Sequence, residues 1–150
     1  MEMMIMMHEQ KAYKLIIPAE LERLPEVLSF LDENLEKHDC SPKIQMQLDI
    51  AVEEIYVNIA NYAYKGKSGD AQIRMSFDRD DSGRSFVCIS FSDRGIFFDP
   101  LAHTDPDITL PAEERQIGGL GILMVKQYMD DMFYEYKDGC NILTMIKYLD

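Results

Sequence analysis

Glu54 and Asn58 stand four residues apart in AVEEIYVNIANYAY, residues 51–64, a spacing that makes them neighbours on one helix face. A carboxylate beside an amide oxygen is a pair of hard ligands, able to hold Mg²⁺ and to orient an attacking hydroxyl or water. A solvated helix margin with no chemistry fits the same two residues, so the pair alone decides nothing. A second group follows in FSDRGIFFDP, residues 91–100, where Asp93 closes an apolar run and Gly95 comes two residues later. A carboxylate there can accept a bond from an amino group, and glycine lets a flat ring approach the backbone. A plain turn is the alternative. The third group is ERQIGGLGI, residues 114–122. Gly118, Gly119 and Gly121 stand just before a helical pattern, where free backbone N–H groups and the helix dipole favour an anion. The run is neither GxxxxGKS nor GxxxxGKT, which excludes a Walker-type loop. It follows no strand of a βαβ unit, which disfavours a dinucleotide-binding fingerprint.

Regular elements must position these groups. Residues 11–17, KAYKLII, read as a strand ending at Pro18. Leu21, Leu24, Leu28, Leu31 and Leu35 recur at helical spacing, and Pro25 sets the start of the regular helix. Ser41 and Pro42 supply an N-cap and a first-turn proline. From there Ile44, Leu48, Ala51 or Val52, Ile55, Ile59 and Tyr62 form one stripe of a helix running to about Ala63. Ile50 and Val57 lie off that stripe, so this helix is expected to be buried around much of its girth. The glycines of YKGKSGD end it. QIRMSFD (72–78) alternates cleanly, SFVCISFS (85–92) is apolar on both faces, and RDDSG joins them as a hairpin. The second of these strands is therefore expected at the centre of a sheet. Residues 99–117 read as a long polar loop of the kind that is usually functional or disordered. GGLGILMVKQYMDD resumes as a helix. MFYEYK and NILTMIKY close the chain as strands joined through Asp138-Gly139.

A chain of 150 residues with no repeat and no linker-like stretch suits one domain with a real core. Its formal net charge of −12 argues against nucleic acid and against an anionic membrane surface, because both need clustered Lys and Arg. An acidic chain can still bind a nucleotide if Mg²⁺ and a few local donors offset the phosphates. Cys40, Cys88 and Cys140 form no CxxC, and His8, His38 and His103 add no ligand spacing. Free thiols in a reducing cytoplasm are expected rather than a metal cluster. The Met-rich MEMMIMMHEQ, residues 1–10, lacks a basic start and a cleavage site, so it reads as a frayed end and not as a signal. No apolar run reaches the roughly 18 residues of a membrane span.

In this order, the three groups resemble the N box and the two glycine boxes of the GHKL (histidine kinase-like) ATPase superfamily, shared by histidine kinases and gyrase-type ATPases. Within it, the chain is similar to the stand-alone anti-sigma factor serine/threonine kinases of the RsbW and SpoIIAB type. The likeness runs through LDIAVEEIYVNIANYAY, DRGIFFDP, EERQIGGLGILMVKQYMDD and NILTMIKYL. It implies a two-layer α/β sandwich of the Bergerat type over residues 11–150, with a mixed, mainly antiparallel sheet covered by helices on one face.

By the same resemblance, Asn58 is the Mg²⁺ ligand that holds the triphosphate and Glu54 is the general base. Asp93 accepts from the adenine amino group with Gly95 beside the ring, and Gly119 and Gly121 surround the phosphates. Glu53 matches nothing and is expected to be solvated. Residues 101–117 match an ATP lid. Arg115 in that lid is placed to meet the γ-phosphate, with a solvated arginine as the alternative. ATP and Mg²⁺ are the implied cofactors. The implied activity is phosphorylation of a serine or threonine on a STAS-domain anti-sigma factor antagonist, by a kinase that otherwise sequesters a sigma factor. A nucleotide-gated binding switch with little or no transfer activity is the alternative, and a homodimer is one arrangement left open. Two residues depart from the family pattern: Tyr62 stands where many relatives carry His, and Phe97 replaces a residue that is commonly Pro or Gly. Both stand to reshape the pocket. With no dimerisation-and-phosphoacceptor helix pair and no transducer domain, neither a complete sensor histidine kinase nor a gyrase-type enzyme is expected.

Overall fold

The alternating and apolar runs form five strands in a computed structural model that describes residues 11–102 and 119–150. They are β1 (Lys11–Pro18), β2 (Asp70–Arg79), β3 (Ser85–Asp93), β4 (Asp131–Lys137) and β5 (Cys140–Tyr148). Their order in the sheet is β1-β2-β3-β5-β4, which puts β3 at the centre as its two-faced apolar run predicts. The expectation allowed a mixed sheet; among the described residues every pairing is antiparallel. Tight hairpins join β2 to β3 and β4 to β5, and such short links permit only antiparallel neighbours.

Register decides which side is buried. Ile17 lies opposite Ala71, Ile73 opposite Phe91, Met75 opposite Ile89, and Phe91 opposite Leu143. With a side-chain period of two, these residues point to one face. That face shares a single core with three helices. The first, α1 (Leu24–Glu36), contributes Val27, Leu31 and Leu35. From α2 (Pro42–Asn58) come Leu48, Ala51, Val52, Ile55 and Tyr56, and from α3 (Gly119–Tyr128) Ile122 and Val125. The opposite face carries Gln72, Arg74, Ser76 and Asp78 of β2, none of them buried. This is the two-layer arrangement with helices on one side. No helix among the described residues is long and apolar enough to cross a membrane.

Helix α2 carries the residues that matter most. Ser41 caps it, its Oγ accepting from the Ile44 N–H at 3.3 Å, with Pro42 in the first turn. After Asn58 the chain widens into a π-helical turn, Ile59–Ala63. Such turns are rare and occur often at functional sites. Lys65 and Gly66 then take φ of 48° and 82°, which ends the helix. At the far hairpin Asp138 and Gly139 take φ of 53° and 78°, the left-handed pair that a two-residue turn requires.

Tyr56 pins α2 to the exit of β1. Its side chain is fully buried, and its hydroxyl accepts the Glu20 N–H at 3.1 Å. The same O–H points to the Glu20 carbonyl at 2.7 Å and the Pro18 carbonyl at 3.0 Å, and the closer one takes most of the bond. Tyr56→Phe removes this cross-link, although the Glu20 N–H still donates to the Pro18 carbonyl at 2.8 Å and the Glu20 carbonyl still accepts the Arg23 N–H at 3.0 Å. Chemical denaturation should show a loss of about 0.5–1.5 kcal/mol, the net worth of a hydrogen bond whose partners stay paired, with an unchanged circular dichroism spectrum.

A second test arises where α1 meets α2. Burial pushes the Asp49 carboxyl up to about 7, aided by a hydrogen bond and charge from Asp32 and by the charge of Glu53. Asp32 Oδ1 and Asp49 Oδ1 are both buried without a donor, and a proton held on Asp49 supplies one. Burial, and then the charge of Asp49 when it is ionised, raises the nearby Cys40 thiol. Because the folded-state pKa of Asp49 lies above the unfolded value, its contribution to stability is fully present below about pH 4 and lost as pH rises through about 7. Thermal melts should therefore show this component of stability falling across that window, and Asp49→Asn should flatten it.

Candidate functional site

A pocket of about 460 Å³ opens between the end of α2, the end of β3 and the start of β5. Ile55, Ile59, Phe91, Ile122 and Leu143 make its walls mainly apolar. A few polar groups, Asn58, Asp93, Tyr134 and Asn141, converge on it. Lys65 is the one cationic side chain among its described lining residues. An apolar cleft of this size with sparse polar anchors is the usual form of a small-molecule site.

Asp93 ends β3 inside this pocket and is only 8% exposed. Its Oδ1 accepts the Gly95 N–H at 2.9 Å and the Asn141 side-chain amide at 3.0 Å. Oδ2 has no partner among the described residues. A buried carboxylate with one oxygen spent and one free, set in an apolar wall, is an acceptor matched to an amino group. What demands glycine at position 95 is Ala63. A Cβ there would collide with the Ala63 carbonyl and side chain, and the adjoining Ile96 N–H donates to that carbonyl at 2.8 Å. The loop after β3 is thus laid directly on the π-helical turn, and the two form one wall.

Asn58 lines the pocket one helical turn after Glu54. Its Nδ2 donates to Glu54 Oε1 at 3.5 Å, so its Oδ1, the hard donor, is left facing no protein partner among the described residues. Burial raises the Glu54 carboxyl; the Asn58 hydrogen bond pulls it down and the charge of Glu53 adds to the rise. A raised carboxyl is a better proton acceptor near neutral pH. Gly121, in the first turn of α3, is what gives this carboxylate its place. A Cβ on Gly121 would fall on the Glu54 carboxyl group. Glu53, by contrast, is exposed, as expected.

The structure therefore brings Glu54, Asn58, Asp93, Gly95 and Gly121 together, and Gly119 opens α3. Arg115, Gly118, the Met-rich residues 1–10 and residues 103–117 of the expected lid lie outside the described residues. Of the two departures, Tyr62 does line the pocket. Phe97 does not; it packs edge-on against Tyr136 at 5.2 Å and Tyr134 at 6.1 Å. Asn141, Tyr134 and Lys65 are site residues that the motifs missed. Asn141 did leave a signal: it is a polar residue at an inward position of a strand whose next inward residues are Leu143 and Met145.

Among the described residues, no group of three or more His, Cys, Asp or Glu could hold a metal. Mg²⁺ needs none, because it usually keeps several waters and binds through one or two protein oxygens plus substrate phosphates. Asn58 Oδ1, which faces no partner among the described residues, fits that demand as a single protein oxygen.

A family model described as the histidine kinase-like ATPase domain matches residues 17–147. The chain belongs to this family. The match takes in every candidate site residue of this ATPase domain, Arg115 included. Among its relatives, the serine/threonine-protein kinase BtrW of Bordetella bronchiseptica is 25% identical over 105 residues, 70% of this chain and 71% of that protein. The serine-protein kinase RsbW of Listeria monocytogenes is 30% identical over 108 residues, 69% of this chain and 65% of that protein. The chain thus spans somewhat less than two thirds of the length of that RsbW. Two solved structures share the fold of the domain. The RsbU and RsbW domains of a Mycobacterium tuberculosis protein superpose with a TM-score of 0.62 at 16% identity, over 93% of this chain and 32% of that one. The SiaB–SiaC complex from Pseudomonas aeruginosa gives a TM-score of 0.52 at 16% identity, over 98% of this chain and 95% of the other.

Proposed function

We propose that this ATPase domain binds ATP with Mg²⁺ and transfers the γ-phosphoryl group to a serine or threonine of a partner protein. The observation that carries this reading is Asp93, whose single free oxygen sits in an apolar pocket of about 460 Å³ with the Asn58–Glu54 pair beside it. Adenine presents one exocyclic amino group and a flat apolar ring, which match that oxygen and those walls. Asn58 Oδ1 would hold Mg²⁺, which when bound would offset charge on the transferring phosphates. Glu54 takes the proton of the attacking hydroxyl, helped by its raised pKa. Gly119 and Gly121 offer backbone N–H groups at a helix start to the phosphates, and Lys65 adds positive charge at the rim. By its place in the sequence segment 101–117 that resembles the family's ATP lid, Arg115 is proposed as the residue that would meet the γ-phosphate.

Relatives named as serine kinases support transfer to a hydroxyl. The partner class that goes with the RsbW likeness is a STAS-domain anti-sigma factor antagonist, with a sigma factor as the protein held when the antagonist is absent. A cytoplasmic setting and a homodimeric assembly accord with this reading. The test is transfer from γ-labelled ATP to partners co-purified with the full chain, followed by mapping of the phosphorylated residue. Label on a serine or threonine is the expected result. Binding of both ATP and partner without any label would leave a nucleotide-gated binding switch in place of the kinase.

A further inference from the structure

We propose that Asn141 is a positioning residue that confines Asp93 to one accepting oxygen and thereby selects adenine over guanine nucleotides. The inference rests on the ATP-site reading above. Asn141 lies on β5 directly opposite Asp93 on β3 and is 8% exposed. Its Nδ2 donates to Asp93 Oδ1 at 3.0 Å and to the Ile96 carbonyl at 2.8 Å, with the Gly95 carbonyl more distant at 3.5 Å. Its Oδ1 accepts the Phe98 N–H at 3.1 Å and the Tyr134 hydroxyl at 2.5 Å.

The partners fix the orientation of this amide. A backbone N–H can only donate and a carbonyl can only accept, so turning the amide over would set donor against donor at Phe98 and acceptor against acceptor at Ile96. One side chain therefore holds both the acceptor and the loop that follows it.

The consequence lies in how a carboxylate reads a purine. Adenine offers one exocyclic amino group, for which one free oxygen suffices. Guanine offers N1–H and its 2-amino group side by side, and a carboxylate captures that pair only with two oxygens. Asp93 Oδ1 already takes two N–H bonds, from Gly95 and Asn141, so only Oδ2 is left. In the adenine pose guanine would also turn its O6, an acceptor, toward that carboxylate. Removing the Asn141 amide returns accepting capacity to Oδ1 and lets the carboxylate turn.

The test is calorimetry of ADP and GDP binding to the wild-type chain, Asn141→Ala and Tyr134→Phe, with thermal melts in parallel. The wild type should prefer ADP. Asn141→Ala should weaken ADP about tenfold and lower the ADP-to-GDP affinity ratio by about the same factor, the effect of about one lost hydrogen bond to a charged group. Tyr134→Phe, which removes the bond to the Asn141 oxygen and a bond between the hydroxyl and the Phe98 backbone but leaves the Asn141 amide on Asp93, should lower the ratio by roughly two- to threefold. A general loosening of the fold would weaken both nucleotides alike and leave the ratio unmoved. An unchanged ratio in a cooperatively folded Asn141→Ala overturns the proposal. If that variant does not fold, an unchanged ratio in Tyr134→Phe overturns it. A wild type that binds no ADP refutes the ATP-site reading, and the role of Asn141 falls with it.

Discussion

Glu54→Gln should keep nucleotide and partner binding and lose phosphoryl transfer by about 10²–10⁴-fold, the usual worth of general-base catalysis. The substitution preserves size, and the Asn58 amide can still donate to the glutamine oxygen in place of Glu54 Oε1. Only the proton-accepting charge is removed. Residual transfer should remain, since positioning and electrostatics carry much of phosphoryl transfer. Single-turnover labelling of the partner, with bound nucleotide measured in the same sample, separates the two effects. Equal labelling by the variant and the wild type would take the base role from Glu54. Gly121→Ala provides an independent check, because its Cβ would take the space of the Glu54 carboxyl. It should depress transfer while leaving the chemistry of the carboxylate intact.

Asp93→Asn should weaken ADP and ATP by about 10–150-fold, or roughly 1.5–3 kcal/mol, and leave the melting temperature little changed. The direction follows from the bonds around the carboxylate. Gly95 N–H and the Asn141 amide both donate to Oδ1, so an asparagine must keep its oxygen there. Its NH₂ is then forced into the position of Oδ2, where it meets the adenine amino group as donor against donor. Calorimetry that finds unchanged affinity would remove Asp93 from the base-recognition role.

Local patterns made much of this legible in advance. The Ser41 cap, the apolar stripe from Ile44 to Ile59, the alternation in β2 and the left-handed Asp138-Gly139 turn are each written within a few residues, where steric and periodic rules act. The Glu54–Asn58 pair was legible for the same reason, as i,i+4 neighbours need only a helix. The order of the three clusters carried the family. Periodicity was blind to the π-helical turn at Ile59–Ala63, because one widened turn barely disturbs a 3.6-residue pattern.

What tertiary structure decided are the contacts between groups far apart in the chain. Asn141 became the brace of Asp93 through the β3–β5 register, and register is set by burial of a whole face rather than by any motif. Gly95 is held to glycine by the Ala63 backbone, and the space a Cβ on Gly121 would need is taken by the Glu54 carboxyl; both reasons lie on another element. The raised Asp49 carboxyl likewise depends on α1 bringing Asp32 against it. By itself, the sequence determined which residue types were available for the chemistry and the helices and strands that carry them. Folding decided which oxygen of Asp93 is left free and how closely the Glu54 carboxylate is packed, because hydrogen-bond saturation and desolvation depend on neighbours that only three dimensions supply.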